Sequence, residues 1–233
     1  MTKDEFVEEL KKINIILDNE KLNKLDKFYE LLIKWNEKIN LTRITSKEDV
    51  YLKHFYDCLT LIKVIDLNEN LKVLDVGTGA GFPGIVLKIV FPNLKITLLD
   101  SLNKRINYLN AIIKELELKD IETICERAEI YTKYNQEEYD LIVSRAVAHL
   151  RILSEITFQG LKVHGYLIAM KASIMDEIEE SKNIINSLNG KIKEIKKFQL
   201  PFENSQRTLI KIEKIDKTSN KYPRKYSDIK KNK

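Results

Sequence analysis

The sequence predicts an α/β protein with a doubly wound, mostly parallel sheet, a helical appendage in front of it and an antiparallel β-hairpin at its end. Three observations carry this. From Leu71 onward, short apolar runs of strand length alternate with longer amphipathic runs, the pattern of a parallel sheet covered on both faces. Before Leu71, apolar residues recur at steps of three and four with no strand among them. The last two strand-like runs have only PFENS between them, too little for a crossover helix.

Each element can be justified in turn. Phe6, Leu10, Ile13 and Leu17 share one face of a helix over 3–17. Leu22, Leu25, Phe28, Leu32, Trp35 and Ile39 continue the period over 20–40. Ser46 and Asp49 have capping-box spacing before VYLKHFYDCLTLIKVI, so a third helix starts there. KVLDVG is a buried strand, GTGAGFPG a turn and GIVLKIVF a helix that ends before Pro92. KITLLD, IETIC, YDLIVSRA (139–146) and YLIAMKA are four further strands. They are interleaved with a helix over 103–117 and a helix HLRILSEITF. A helix over 174–188 precedes the closing strands KIKEIKKFQL and QRTLIKIEKI. These elements divide the chain into a helical appendage (1–65), an α/β domain (66–216) and a tail (217–233). The tail is poor in apolar residues and is expected to be mobile.

Composition narrows the function classes. The beginning of the sequence has no apolar h-region, and no run approaches the roughly 18 residues of a membrane span. A cytoplasmic protein with no membrane contact is expected. Cys58 and Cys125 are far apart and sit in apolar-looking segments, so both are expected to be packed thiols. His54, His149 and His164 are scattered without metal-ligand spacing, and no metal site is expected. The net charge is +5, unevenly placed: residues 191–233 hold 14 Lys/Arg against 5 Asp/Glu, whereas the rest of the chain is slightly acidic. A basic end on a near-neutral body suits either contact with a polyanion or a merely solvated tail.

The most informative motif is DVGTGAGFPG at 75–84. Gly77, Gly79 and Gly81 recur at spacing two between a strand and a helix, where a ligand can approach the backbone and meet free N–H groups. GAGFPG matches the dinucleotide fingerprint literally, with an acid about 20 residues on. Its register is wrong, because an acid stands two residues before the first glycine. Acid-x-Gly-x-Gly-x-Gly instead suits S-adenosylmethionine, with a dinucleotide or an inert turn as alternatives. Asp75 is then expected to orient the loop and face the cofactor's cationic amino-acid end, and Asp100 to accept from the ribose hydroxyls. The fold is accordingly expected to be the class I (Rossmann-like) methyltransferase variant. Such a reaction needs alignment and exclusion of water rather than a nucleophile or base, and neither a Ser-His-Asp nor a Cys-His arrangement is evident.

The loop, DSLNKR (100–105) and SRA (144–146), together with KWNEKINLT, HFYDCL and KYPRK, resemble the RsmG family, also called glucose-inhibited division protein B. The resemblance covers most of the chain, in the family's order. The chain departs from the family at its end, where YSDIKKNK stands in place of a Gly/Pro-containing sequence. The resemblance implies a bacterial enzyme that methylates N7 of one guanosine in 16S rRNA with S-adenosyl-L-methionine, releasing S-adenosyl-L-homocysteine. It implies cofactor contacts from Gly77, Phe82, Asp100, Ser101, Leu102, Ala128, Glu129 and Arg145.

N7 carries a free lone pair, so its methylation needs no general base. It lies on the major-groove edge, which side chains cannot read in A-form RNA, so the target base must be unstacked. Arg145 is expected at the border between cofactor and guanine, with a structural ion pair as its alternative. Lys171 and Arg207 either hold phosphates near the pocket or are ordinary surface charges, and Lys221, Arg224 and Lys225 are expected to grip the RNA backbone non-specifically. His54 and Asp57, one helical turn apart, either close over the pocket or bond the appendage to the core. Trp35 and Phe55 are expected in the core, with stacking on a base as the alternative. A monomer acting on 16S rRNA or the small ribosomal subunit is the expected form. The rivals are an NAD-dependent oxidoreductase, an RNA-binding protein without activity and a small-molecule methyltransferase.

Overall fold

The computed structural model describes residues 1–172, 175–203 and 205–231. Ile174, the expected first residue of one helix, and Asn204 of the hairpin turn lie outside them.

The appendage begins with α1 (Lys3–Lys11), whose Thr2 and Glu5 close a reciprocal capping box. The helix is shorter than expected. Asn14 adopts a left-handed conformation (φ 59°), and the N–H of Ile15 turns back to the Leu10 carbonyl, a glycine-type stop made with asparagine. Asp18 caps α2 (Asn19–Ile39), and Asn40 ends it in the same left-handed region. Ser46 caps α3 (Lys47–Val50) by accepting from the Asp49 N–H. The Asp49 carboxylate pairs with Lys53. The chain then widens into a π-helical turn over Tyr51–Tyr56 before α4 (Asp57–Leu59). Such turns often mark functional positions.

The sheet has seven strands in the order β3-β2-β1-β4-β5-β7-β6. β1 (Lys72–Val76), β2 (Lys95–Asp100), β3 (Ile121–Cys125), β4 (Tyr139–Arg145) and β5 (Leu161–Lys171) are parallel. β7 (Gln206–Lys214) joins β5 antiparallel, and β6 (Gly190–Gln199) pairs β7 at the outer edge. The expected class I architecture is thus present. The connecting helices are α5 (Gly84–Val90), α6 (Asn103–Glu115), α7 (Ala128–Tyr134), α8 (Leu150–Thr157) and α9 (Met175–Ser187). α7 was not anticipated, because its seven residues bury Glu129 and Thr132 rather than an apolar stripe.

The appendage shares a continuous core with one face of the sheet. Phe28 stacks on Phe55, and its ring centroid lies 5.6 Å from that of Phe82 in the glycine loop. Trp35 meets Tyr108 of α6 edge-on. α8, α9 and their neighbours build a second core on the other face.

Two expectations are corrected. The tail is not loose: Gln159 donates to the carbonyls of Ser219 and Tyr222, and Ile229 of α10 (Tyr226–Lys231) is fully buried. Composition hid this, because the tail is held by polar clamps rather than by an apolar run. Cys58 is buried as expected, but Cys125 is exposed at the tip of β3. No helix among the described residues is long and apolar enough to cross a membrane.

Candidate functional site

Strand order reverses between β1 and β4, and a cavity of about 830 Å3 opens at the carboxyl ends of these strands. This is where open α/β sheets hold ligands. Its floor is the glycine loop. The N–H groups of Gly77 and Thr78 both donate to Leu99 of β2, which pins the loop's first half to the sheet. Gly79 has φ +58°, and a Cβ there would meet nothing nearer than the Gly77 carbonyl at 3.8 Å, so the side-chain position is open space beside the cavity. Gly84 is the opposite case. A Cβ would stand 2.2 Å from Leu98 and 2.8 Å from the Asp75 carboxylate, so only glycine allows α5 to start this close to β1 and β2.

The two acids divide their work. Asp75 is fully buried, and its Oδ2 accepts the Gly84 N–H at 2.8 Å. Burial pushes its carboxyl up to about 6. It does not line the cavity, so of its two expected roles the geometry accommodates the orienting one. Asp100 does line the cavity. Its Oδ2 accepts from the Gly79 N–H (3.1 Å) and from Arg105 Nη1 (3.1 Å), and its Oδ1 from the Leu102 N–H (3.0 Å). A carboxylate held from three directions presents a fixed acceptor at the strand tip.

The roof comes from the appendage. Arg145, at the end of β4, lies with its guanidinium carbon 4.9 Å from the centre of the Phe82 ring. Its Nη1 donates to the Lys53 carbonyl (3.0 Å) and reaches Asp57 Oδ2 (3.4 Å), and its Nη2 meets His54 Nδ1 (3.1 Å). The His54 ring stacks on Phe82 with centroids 4.4 Å apart. Burial, reinforced by the Arg145 charge, pushes the His54 imidazole down to about 3. Asp57 is bridged on its other oxygen by Arg207 Nε from β7 (3.1 Å). Burial raises the Asp57 carboxyl against the pull of both guanidiniums. One buried carboxylate thus ties α4, β4 and β7 together over the cavity.

The expected site residues fall into three groups. Gly77, Gly79, Phe82, Asp100, Ser101, Arg145, Lys171 and Arg207 line one cavity. Asp75, Gly81 and Leu102 stand just behind or beside it. Ala128 and Glu129, at the start of α7, and Lys221, Arg224 and Lys225 in the tail are not in its lining. Arg145 makes the structural ion pair and lines the cavity at once. Lys171 pairs with Glu177 at 2.8 Å, and Arg207 with Asp57, so neither is a free cation. Arg224 forks onto the fully buried Glu155, with Nε–Oε1 2.7 Å and Nη2–Oε2 2.6 Å. Arg224 therefore has a structural partner beside its expected role at the RNA backbone.

Sequence reasoning missed Thr42, whose hydroxyl lies 3.0 Å from His54 Nε2, and Val147, whose side chain covers Gly77. The three-residue spacing of His54 and Asp57 was the available signal for the roof. Nothing in the sequence pointed to Val147. No His/Cys/Asp/Glu group suited to a metal occurs among the described residues.

The model of one family, described as GidB, rRNA small subunit methyltransferase G, matches residues 21–210. Proteins named ribosomal RNA small subunit methyltransferase G from Bacillus cereus and Bacillus thuringiensis are each 47% identical to the chain over 228 residues. These alignments cover 97% of the chain and 95% of each relative. Among solved structures, a SAM-dependent methyltransferase from Aquifex aeolicus superposes with TM-score 0.53 at 20% identity, over 72% of this chain and 94% of its own. Aeropyrum pernix fibrillarin with natively bound S-adenosyl-L-methionine gives 0.53 at 13% identity, over 67% and 72%. At these identities the two structures speak for the fold.

Proposed function

Since the chain belongs to the GidB family of rRNA small subunit methyltransferase G proteins, we propose that it transfers a methyl group from S-adenosyl-L-methionine to N7 of a guanosine in 16S rRNA. The observation that carries the reading is the single cavity in which the glycine loop, Asp100 and Arg145 face one another at the switch point of the sheet. The residues present fit the cofactor. Gly79 leaves open the space a side chain would fill, and Asp100 offers a fixed carboxylate for a ribose diol. When bound, the cofactor supplies an electrophilic methyl group on a sulfonium.

The chain's own residues bind and align. Gly77, Gly79 and Phe82 form the floor, and Asp100 and Ser101 hold the nucleoside end. Asp75 and Gly81 keep the loop in shape, while Leu102, Ala128 and Glu129 are the further residues assigned to the cofactor. Arg145, fixed by His54 and Asp57, borders the space left for the base and excludes water from it. N7 needs no deprotonation, which accords with a neutral His54 whose lone pair is already engaged by arginine. We place the enzyme in the cytoplasm because its proposed acceptor is ribosomal RNA, and acting as a monomer because one chain's own helices and strands enclose the cavity. The appendage (1–65), the methyltransferase domain (66–216) and the tail (217–233) are then units of one enzyme.

The test is methyl transfer from labelled cofactor to a 16S rRNA transcript lacking the modification, followed by mapping of the label. Label on a guanine N7 supports the proposal, and label on another atom or none refutes it. An NAD-dependent oxidoreductase would bind NAD in preference to S-adenosyl-L-homocysteine.

A further inference from the structure

Every cation lining the cavity is already paired. Lys53 is matched by Asp49 and Glu203, Arg105 by Asp100, Arg145 and Arg207 by Asp57, and Lys171 by Glu177. A phosphate entering the cavity would share each of these cations with a carboxylate. Cations without such a partner lie outside the lining.

Three cations outside the lining are linked to it through their neighbours. Arg43 sits between the cavity-lining residues Thr42 and Ile44, in a turn latched to α2 because Asn36 Oδ1 accepts the N–H groups of Leu41 (2.6 Å) and Thr42 (2.8 Å). Lys38, in the last turn of α2, lies with its Nζ 5.7 Å from the centre of the Trp35 ring. Trp35 packs on Tyr108 of α6, whose hydroxyl donates to Ala80 in the cavity floor. Lys104 stands one helical turn before Tyr108 and directly before the cavity-lining Arg105. Arg43, Lys38 and Lys104 are exposed, and none makes an ion pair among the described residues. Glu37 is next to Lys38 and pairs with none of them. In the tail, Arg224 is clamped on Glu155, and Lys221 and Lys225, although exposed and without an ion pair among the described residues, adjoin no residue of the cavity lining.

We infer that Lys38, Arg43 and Lys104 form the surface that holds the phosphate backbone of the RNA acceptor, delivering an unstacked base past Thr42 into the cavity. The inference rests on the RNA-methylating reading above. It assigns backbone binding to the junction of appendage and α6, in place of the basic tail. Three exposed cations without an ion pair among the described residues suit a polyanion, and their spread over α2, the turn after it and α6 suits an extended strand rather than a small anion.

The experiment measures binding of an unmodified 16S rRNA transcript against salt for wild type, for K38A/R43A/K104A and for K221A/K225A. S-adenosyl-L-homocysteine binding is the check that the cavity is intact. The rim variant is expected to lose about 2 units of the log–log salt slope, about 0.7 for each single-strand phosphate contact. Its cofactor-product affinity stays unchanged, and the tail variant keeps the full slope. An unchanged slope in the rim variant, or a slope lost only in the tail variant, overturns the inference. A wild-type protein that binds the transcript with a steep slope but transfers no methyl group overturns the functional reading instead.

Discussion

Nη2 of Arg145 and Nδ1 of His54 lie 3.1 Å apart, and this contact fixes the histidine's protonation state. A guanidinium only donates, so Nδ1 must carry a lone pair. The Lys53 carbonyl, also 3.1 Å from Nδ1, is satisfied by Arg145 Nη1 instead. The imidazole proton therefore sits on Nε2 and faces the Thr42 hydroxyl, an assignment made by the hydrogen-bond network. His54→Ala removes an acceptor from a charged donor, worth about 1.5–3 kcal/mol. Methyl-transfer kcat/KM is expected to fall about tenfold to a hundredfold. His54→Asn, whose carbonyl stands where Nδ1 was, should restore most of it. Equal losses in the two variants would mean that ring volume, rather than the bond to Arg145, matters.

The same contact predicts a sensitivity of stability to acid. The folded imidazole titrates at about 3, far below its ordinary value, so as pH falls from about 6.5 the unfolded chain takes up the proton first. The histidine's contribution is complete above that value. Below it the contribution is lost at a rate approaching 1.4 kcal/mol per pH unit, about one proton's worth. Asp75, pushed up to about 6, works in the other direction, because the folded form holds its proton longer as pH rises from about 4. Asp57 acts in the same sense as Asp75. Urea midpoints of wild type and His54→Asn compared at pH 7, 6 and 5 leave these acids in common. Wild type should lose stability relative to the variant on acidification, and a constant gap would show that His54 titrates normally.

Gly79 and Gly84 should separate binding from folding. A methyl group at residue 79 enters open space beside the cavity, at a backbone cost of about 1–2 kcal/mol for a left-handed alanine. Gly79→Ala is expected to weaken S-adenosyl-L-homocysteine binding at least about tenfold while the protein stays folded, by isothermal titration and circular dichroism. A methyl group at residue 84 collides with Leu98 and the Asp75 carboxylate. Gly84→Ala should lower stability by about 1–3 kcal/mol, as overpacking does. If residue 79 proves the more destabilising position, the open space is filled in the folded protein.

The sheet was legible because the central parallel strands are apolar runs closed by glycine or charge, and the cavity floor because glycine spacing and acid placement are local signals. The roof was only half legible. His54 and Asp57 showed their spacing, but their meeting with Arg145 and Arg207 joins residues 88 to 150 positions apart, which no periodicity records. The tail misled for a related reason. Its basic composition suggested solvent or phosphate, whereas its order comes from Gln159 and from a carboxylate on α8, Glu155, whose partners cannot be read from either segment alone.

That carboxylate supports the final prediction. Glu155 has no solvent exposure and accepts the Arg224 fork together with the Arg224 backbone N–H at 3.1 Å. Arg224→Ala leaves a buried charge without its partner, a change that costs about 3–5 kcal/mol in fully buried pairs. Arg224 keeps about a third of its side chain in solvent, so the loss should fall near 3 kcal/mol or below. Glu155→Gln combined with Arg224→Ala should recover part of it, because the stranded charge is gone. Denaturant unfolding of the three proteins measures this. A tail that serves as a structural strap predicts that the double variant, once folded, binds 16S rRNA with the wild-type salt slope. A slope lowered by one contact would show that Arg224 also meets the RNA.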